Sequence, residues 1–196
     1  FKIFIFRMIQ DAKNDKHTIN KSKGANKMAK REHETCLYGM QMGRKDDPRI
    51  CLRGMLDATH AKTVLCAVTA REQGKTKLEE KLENVAKAML TLLAAEYKGK
   101  MEGDILKGES EEEIRHASHC PEQVYGIAHF FPTAKTGRMI AELNVLRTEI
   151  RACERQAVAV FEDSFEPFIR ALNRLSSYVY CLMCQQKAEQ EKQTCR

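Results

Sequence analysis

The stretch 143-LNVLRTEIRACERQ-156 decides the fold. Leu143, Leu146 and Ile150 recur at three- and four-residue steps, with Val158 further along, as the apolar stripe of an amphipathic helix requires. Arg147, Arg151 and Arg155 recur at four-residue steps and line one side of the same helix. The pattern predicts a helix over about Lys135–Phe161, followed by a turn at Glu162–Pro167. A last helix follows over about Phe168–Glu189, with Phe168, Ile169, Leu172, Leu175 and Val179 on one apolar face.

Working back from that segment, Pro48 suits the first turn of a helix that runs to about Glu72, ahead of Gly74. A second helix is expected from about Thr76 to Tyr97, with Leu78, Leu82, Val85, Met89 and Leu93 at helical spacing and Gly99 just past its end. Ser110-Glu111-Glu112-Glu113 reads as a capping box that opens a short helix ending near His119-Cys120-Pro121. Four long helices and one short one make an all-α chain, a four- to five-helix bundle. No internal repeat is visible.

Charge divides the chain unevenly. The formal net charge is +6, yet residues 1–31 carry nine Lys/Arg against Asp11 and Asp15, so the remainder is close to neutral. Residues 1–29 read as a basic tail, with at most a short strand or helix at Lys2–Ile9, and residues 30–196 as the helical domain. A near-neutral body argues against a nucleic-acid partner. The apolar start Phe1–Phe6 is too short for a signal sequence or a membrane span, so no membrane partner is expected. Eight irregularly spaced cysteines then fit a reducing, cytoplasmic setting, most of them as small buried apolar residues. The start on Phe rather than Met reads as a fragment or a processed terminus.

Several polar residues could carry chemistry. Three aligned arginines repel unless carboxylates or an anionic ligand offset them, so the row is either a solvated face or a polyphosphate clamp. Asp57 sits among Met55, Leu56 and Ala58, where it could pair with Arg53 one turn earlier or across helices with an arginine of the row. Asn173 and Arg174 interrupt an apolar face, and a buried amide there needs partners from a structural network or a nucleotide. His33 and Cys36 have an H-x-x-C spacing, and His116, His119 and Cys120 lie close together in sequence; such ligands suit zinc or ferrous iron, but two do not make a site. Cys181-x-x-Cys184, inside a helix, reads as packing. There is no phosphate-binding G-x-x-x-x-G-K-[ST] loop, dinucleotide glycine fingerprint or nucleophile elbow, so any nucleotide would be held by helix-borne side chains and irregular segments.

The segments 30-KREHETCLYG-39, 45-KDDPRICLRGMLDA-58, 111-EEEIRHASHCPEQVYGIAHFFP-132, 143-LNVLRTEIRACERQ-156 and 171-ALNRLSSYVY-180, in that order, resemble the cobalamin (corrinoid) adenosyltransferases, specifically their ethanolamine-utilisation branch. The resemblance covers about residues 30–185. It implies a helical bundle that binds ATP and a corrinoid between subunits of a homo-oligomer. It further implies a four-coordinate corrinoid with its lower base displaced, which a weak, flavoprotein-type reductant can reduce. The resulting cob(I)alamin would attack C5′ of ATP, with triphosphate leaving, in a cytoplasmic setting that could include a bacterial microcompartment. The adenosylcobalamin formed would supply ethanolamine ammonia-lyase.

Carried onto matching positions, the resemblance puts Lys45, Arg147, Arg151 and Asn173 at ATP, with Mg²⁺ accompanying it, and pairs Asp57 with Arg147. Arg147, Arg151 and Asp57 form the implied catalytic set, while Arg155 is left a structural role beside a nearby carboxylate. His129, Phe130 and Phe131 occupy the place where relatives press a hydrophobic residue against the lower face of the corrin. The chain departs from the family in lacking the wider superfamily's Gly-rich N-terminal phosphate loop and in carrying Ala152 where a second arginine is found. It also lacks a C-C-x-x-C cluster and reads His33-Glu34-Thr35-Cys36 where others have H-x-x-H, so a Zn²⁺ or Fe²⁺ site on His33 and Cys36 is an expectation with a substituted ligand. Two readings compete with an active enzyme: a non-catalytic corrinoid-binding or delivery protein of the same fold, and a purely structural bundle. A carrier has no need of a triphosphate clamp, and a structural bundle leaves the arginine row unexplained.

Overall fold

A computed structural model describes residues 31–38, 41–101, 103, 105, 106, 108 and 110–194. The chain divides into Phe1–Arg31 and Glu32–Arg196, and the description concerns the second unit. The basic tail over 1–29, with the short element expected at Lys2–Ile9, lies outside the described residues.

The unit begins with a two-stranded antiparallel hairpin, β1 (Glu34–Tyr38) and β2 (Gln41–Arg44), in which Glu34 faces Arg44 and Cys36 faces Met42. Helix α1 (Pro48–Glu72) starts where its N-terminal proline predicts, and the Asp47 carboxylate accepts from the Arg49 N–H at 2.9 Å. Helix α2 (Thr76–Lys98) ends at Gly99, whose φ of 70° is the left-handed cap that a residue with a Cβ resists. Ser110 caps α3 (Glu111–His119) by accepting from the Glu113 N–H, and a one-turn helix α4 (Pro121–Tyr125) follows directly. A 3₁₀ turn (Ala134–Thr136) leads into α5 (Arg138–Phe161), and α6 (Glu166–Thr194) closes the described chain.

The expected helix from Lys135 therefore begins three residues later. Gly137, at φ 82° and ψ 167°, cannot continue a helix and separates the 3₁₀ turn from α5. The last helix is longer than expected at both ends, from Glu166 to Thr194. Helix α1 packs against α2 and α5, α5 against α6, and α6 returns to touch α2, with α3 and α4 laid on α6. This is an all-α bundle carrying one small hairpin.

The core follows the predicted stripes with one correction. Leu78, Leu82, Val85, Met89 and Leu93 are buried on α2, as are Leu143, Leu146 and Ile150 on α5. Val158, however, is 48% exposed; the α5 stripe continues through Cys153, Ala157 and Phe161, which keeps the three- and four-residue steps on one face. Phe161, Phe165 and Phe168 pack edge-on or stacked with ring centroids 5.2–5.4 Å apart, closing the α5–α6 turn. Cys181 and Cys184 are buried packing residues.

A buried carboxylate ties the hairpin to the bundle. Glu96 on α2 is fully buried, and Arg49 and Arg53 of α1 donate from their Nε atoms to Oε1 and Oε2, each at 2.7 Å. The Nη atoms of Arg53 donate onward to the carbonyls of Cys36 and Leu37, so its guanidinium links the hairpin to α1 and to Glu96. Arg49 and Arg53 also lie over the rings of Phe161 and Tyr97, at 5.0 and 5.6 Å from the centroids.

Candidate functional site

Between α5, α6 and the irregular segment before the 3₁₀ turn lies a cleft of about 330 Å³. Its α5 wall carries Asn144, Arg147 and Arg151; its α6 wall carries Ser176, Ser177, Tyr180 and Met183. His129, Phe130, Phe131 and Pro132 form the third side, with Ser118 and His119 from the end of α3. The sequence places these groups together through helix periodicity. Arg147 and Arg151 are one turn apart on α5, and Ser176, Ser177, Tyr180 and Met183 fall on adjoining turns of α6.

Arg147 is half-buried, and its Nε and Nη2 donate to Oδ1 of Asn144 at 3.2 and 3.0 Å. Burial lowers its pKa from the ordinary value, and the neighbouring Arg151 cation adds to the effect, while Tyr180 opposes it. Among the described residues no carboxylate pairs with Arg147 or Arg151. Two adjacent guanidinium groups, one half-buried and neither paired with a carboxylate, have the chemistry to donate to an anion with several oxygens. Arg155 lies outside the cleft, is exposed, and forms no ion pair among the described residues, so the carboxylate expected beside it is not there; Glu154 instead accepts from the amide of Asn173 at 2.8 Å.

The aromatic side is differentiated. Phe130 packs on the core and His129 stacks on Tyr180, whereas Phe131 is 90% exposed. A free apolar ring at the rim of a cationic cleft can meet the flat face of a large ligand.

Other expected site residues lie apart from this cleft. Lys45 is exposed in the turn between β2 and α1, its backbone N–H donating to the carbonyl of His33 at 2.8 Å. Asp57 is half-buried on α1, and among the described residues it pairs neither with Arg53 nor with Arg147. The physical reason is that Arg53 is held by Glu96 and the hairpin carbonyls, and Arg147 is turned towards Asn144. Asn173 stands one turn before Ser176 and Ser177 on α6, and its amide lies in a chain from Glu154 to Arg174. His33 and Cys36 sit at the hairpin, and among the described residues no group of three or more His, Cys, Asp or Glu side chains comes together as a metal site would need. The donor set on the described residues thus does not fit a zinc or iron ion.

Tyr180, Ser177 and Asn144 line the cleft without having been singled out beforehand. Tyr180 and Ser177 lie in the quoted 171–180 segment, and their spacing to Asn173 on one helix was the available signal.

Residues 28–186 match the family model described as cobalamin adenosyltransferase. The corrinoid adenosyltransferase EutT of Escherichia coli (strain K12) is 34% identical over 155 residues, which cover 76% of this chain and 57% of that protein. The corrinoid adenosyltransferase EutT of Salmonella typhimurium (strain LT2) is 36% identical over 159 residues, with the same coverage of 76% and 57%. The chain thus spans a little over half the length of the curated relatives it matches. No solved structure matches. With its family-model match running through the hairpin, the cleft and most of α6, the chain belongs to the cobalamin adenosyltransferase family.

Proposed function

We propose that this chain transfers the 5′-deoxyadenosyl group of ATP to the cobalt of a corrinoid, as an ATP:cob(I)alamin adenosyltransferase of the ethanolamine-utilisation type. The observation that carries the reading is the unneutralised Arg147–Arg151 pair facing an exposed Phe131 across one cleft. In this reaction the cob(I) electron pair forms the Co–C5′ bond, the C5′–O bond of ATP breaks, and triphosphate leaves with that bond's electrons. Little acid–base chemistry is needed. The protein must hold the leaving group as its charge grows, align C5′ with cobalt and exclude water.

In this reading Arg147 and Arg151 bind the triphosphate, with Mg²⁺ accompanying ATP, and Phe131 is the ring that meets the lower face of the corrin. Lys45 and Asn173 are assigned to ATP by their motif positions, and Asp57 as the acid that pairs with Arg147. Lys45 and Asp57 line no part of the cleft described above, which is consistent with a site completed by a second copy of the chain in a homo-oligomer. A flavoprotein-type reductant would supply the electron that makes cob(I)alamin, and the product would serve ethanolamine ammonia-lyase. Among the described residues no helix is long and apolar enough to cross a membrane. A zinc or ferrous ion on His33 and Cys36 would require a further ligand from outside the described residues, and metal analysis of the chain with and without Cys36→Ala tests it.

The deciding experiment mixes the purified chain with ATP, Mg²⁺ and chemically reduced corrinoid and follows the absorbance change to adenosylcobalamin. Turnover with release of triphosphate supports the enzyme. Corrinoid binding without turnover indicates a carrier and overturns the proposal.

A further inference from the structure

Tyr180 stands where the arginine wall and the aromatic wall of the cleft meet. Its hydroxyl lies 2.9 Å from Nδ1 of His129, and the two rings stack with centroids 5.8 Å apart and planes 12° apart. The second ring nitrogen, Nε2, lies 3.1 Å from the carbonyl oxygen of His119. A carbonyl can only accept, so Nε2 carries a hydrogen; in the neutral imidazole Nδ1 then accepts and the Tyr180 hydroxyl donates. Burial, with the Cys184 thiol adding to it, pushes the Tyr180 hydroxyl up to about 12, which keeps it a neutral donor at ordinary pH.

Both nitrogens of His129 are therefore committed to protein partners. Phe130 is committed as well, its ring tilted 33° against Tyr180 at 6.5 Å and packed on the core. Of the three residues before Pro132, Phe131 alone is left with its ring free, because its two neighbours are held. On its other side Tyr180 is near enough to Arg147 for each to shift the other's proton affinity.

We propose that His129 and Tyr180 are positioning residues: their hydrogen bond fixes segment 129–132 as the corrinoid wall and ties it to the arginine wall through α6. The inference rests on the adenosyltransferase reading above. It makes His129 a support for the corrinoid-facing residue rather than that residue itself. A histidine that merely filled space could be replaced by another flat ring; one that acts through hydrogen bonds could be replaced by an amide.

Three variants of the full chain separate these cases: Tyr180→Phe, His129→Phe and His129→Gln. Glutamine offers an N–H to the His119 carbonyl and an oxygen to the Tyr180 hydroxyl. Kinetics with ATP and corrinoid varied in turn would be combined with the visible spectrum of bound cob(II)alamin in the presence of ATP. Loss of the His129–Tyr180 hydrogen bond predicts that Tyr180→Phe raises KM for the corrinoid about five- to tenfold, and that His129→Phe, which also loses the bond to the His119 carbonyl, raises it at least as much, each with KM for ATP within about twofold. The same two variants should weaken the four-coordinate cob(II)alamin band, and His129→Gln should recover both readouts. Variants that all behave as an active wild type overturn this inference alone, as do equal rises in both KM values or a glutamine variant no better than phenylalanine. A wild type with neither corrinoid binding nor turnover overturns the inference and the adenosyltransferase reading together.

Discussion

The guanidinium of Arg147 is held by Asn144, one turn earlier on the same helix, through two hydrogen bonds to a single amide oxygen at 3.2 and 3.0 Å. The amide aligns the cation without neutralising it, so its charge remains available to a ligand. Arg147→Ala should lower turnover about 100-fold, the scale of losing one positioned donor at a developing charge. Stability should change by less than about 1 kcal/mol, since no core volume is removed. Adenosylation kinetics and urea unfolding on the same preparation check both halves.

Phe131 supplies the converse case. At 90% exposure it contributes little to folding, so Phe131→Ala should leave the unfolding midpoint in place. The same variant should weaken corrinoid binding about tenfold or more through lost apolar contact. Titration of cob(II)alamin followed by absorbance measures it, and unaltered binding would remove Phe131 from the corrinoid wall.

Glu96 has no counterpart at the cleft, and its consequence is stability. Glu96→Ala leaves Arg49 and Arg53 partly buried without their shared carboxylate, at a cost of about 3 kcal/mol. The comparison is Glu79→Ala, which frees the two-thirds-exposed Arg71 and should cost under about 1 kcal/mol. Chemical denaturation of the pair of variants gives the difference directly.

Glu162 follows α5 with φ 49° and ψ −124°, a conformation that glycine adopts freely and other residues resist. Glu162→Gly should stabilise the chain by about 1 kcal/mol once the added freedom of the unfolded glycine is subtracted. An unchanged or lowered melting temperature would contradict that backbone geometry.

Thiol reactivity offers a check on packing. Cys36 and Cys51 are exposed, whereas Cys66, Cys153, Cys181 and Cys184 are buried. Burial, reinforced by the Glu142 carboxylate, pushes the Cys66 thiol up to about 12. Cys66 therefore has almost no thiolate at pH 8, and burial shields the other three from reagent, so a disulfide reagent should label Cys36 and Cys51 in the native chain and the four buried thiols only after unfolding. Mass-spectrometric mapping of the labelled cysteines reads the result.

Local rules made the bundle legible. Pro48, the Ser110 capping box and Gly99 mark helix ends through neighbouring backbone groups, and they fall where those rules put them. The hairpin was not legible: its strands are short, and part of what secures them is Arg53, reaching from another element. Glu96 reads in sequence as one more helical glutamate, and its burial is visible only once α1 packs on α2. At the cleft, periodicity put Arg147 and Arg151 on one side, and the family motif supplied the aromatic segment. The division of labour among His129, Phe130 and Phe131 was not available beforehand, because it depends on Tyr180 and on a carbonyl at the end of α3.

The arrangement of Arg49, Arg53 and Glu96 also constrains how this chain can drift over generations. Replacing the three together by well-packed apolar side chains need cost little, but any single step leaves either two partly buried cations without their shared carboxylate or one oxygen of the buried carboxylate without its arginine. Arg53 carries a second obligation, since the hairpin carbonyls would lose their donor with it. Accessible mutational paths are thus narrow at these positions for reasons unrelated to turnover, and invariance of this trio among descendants would be a signature of folding rather than of chemistry.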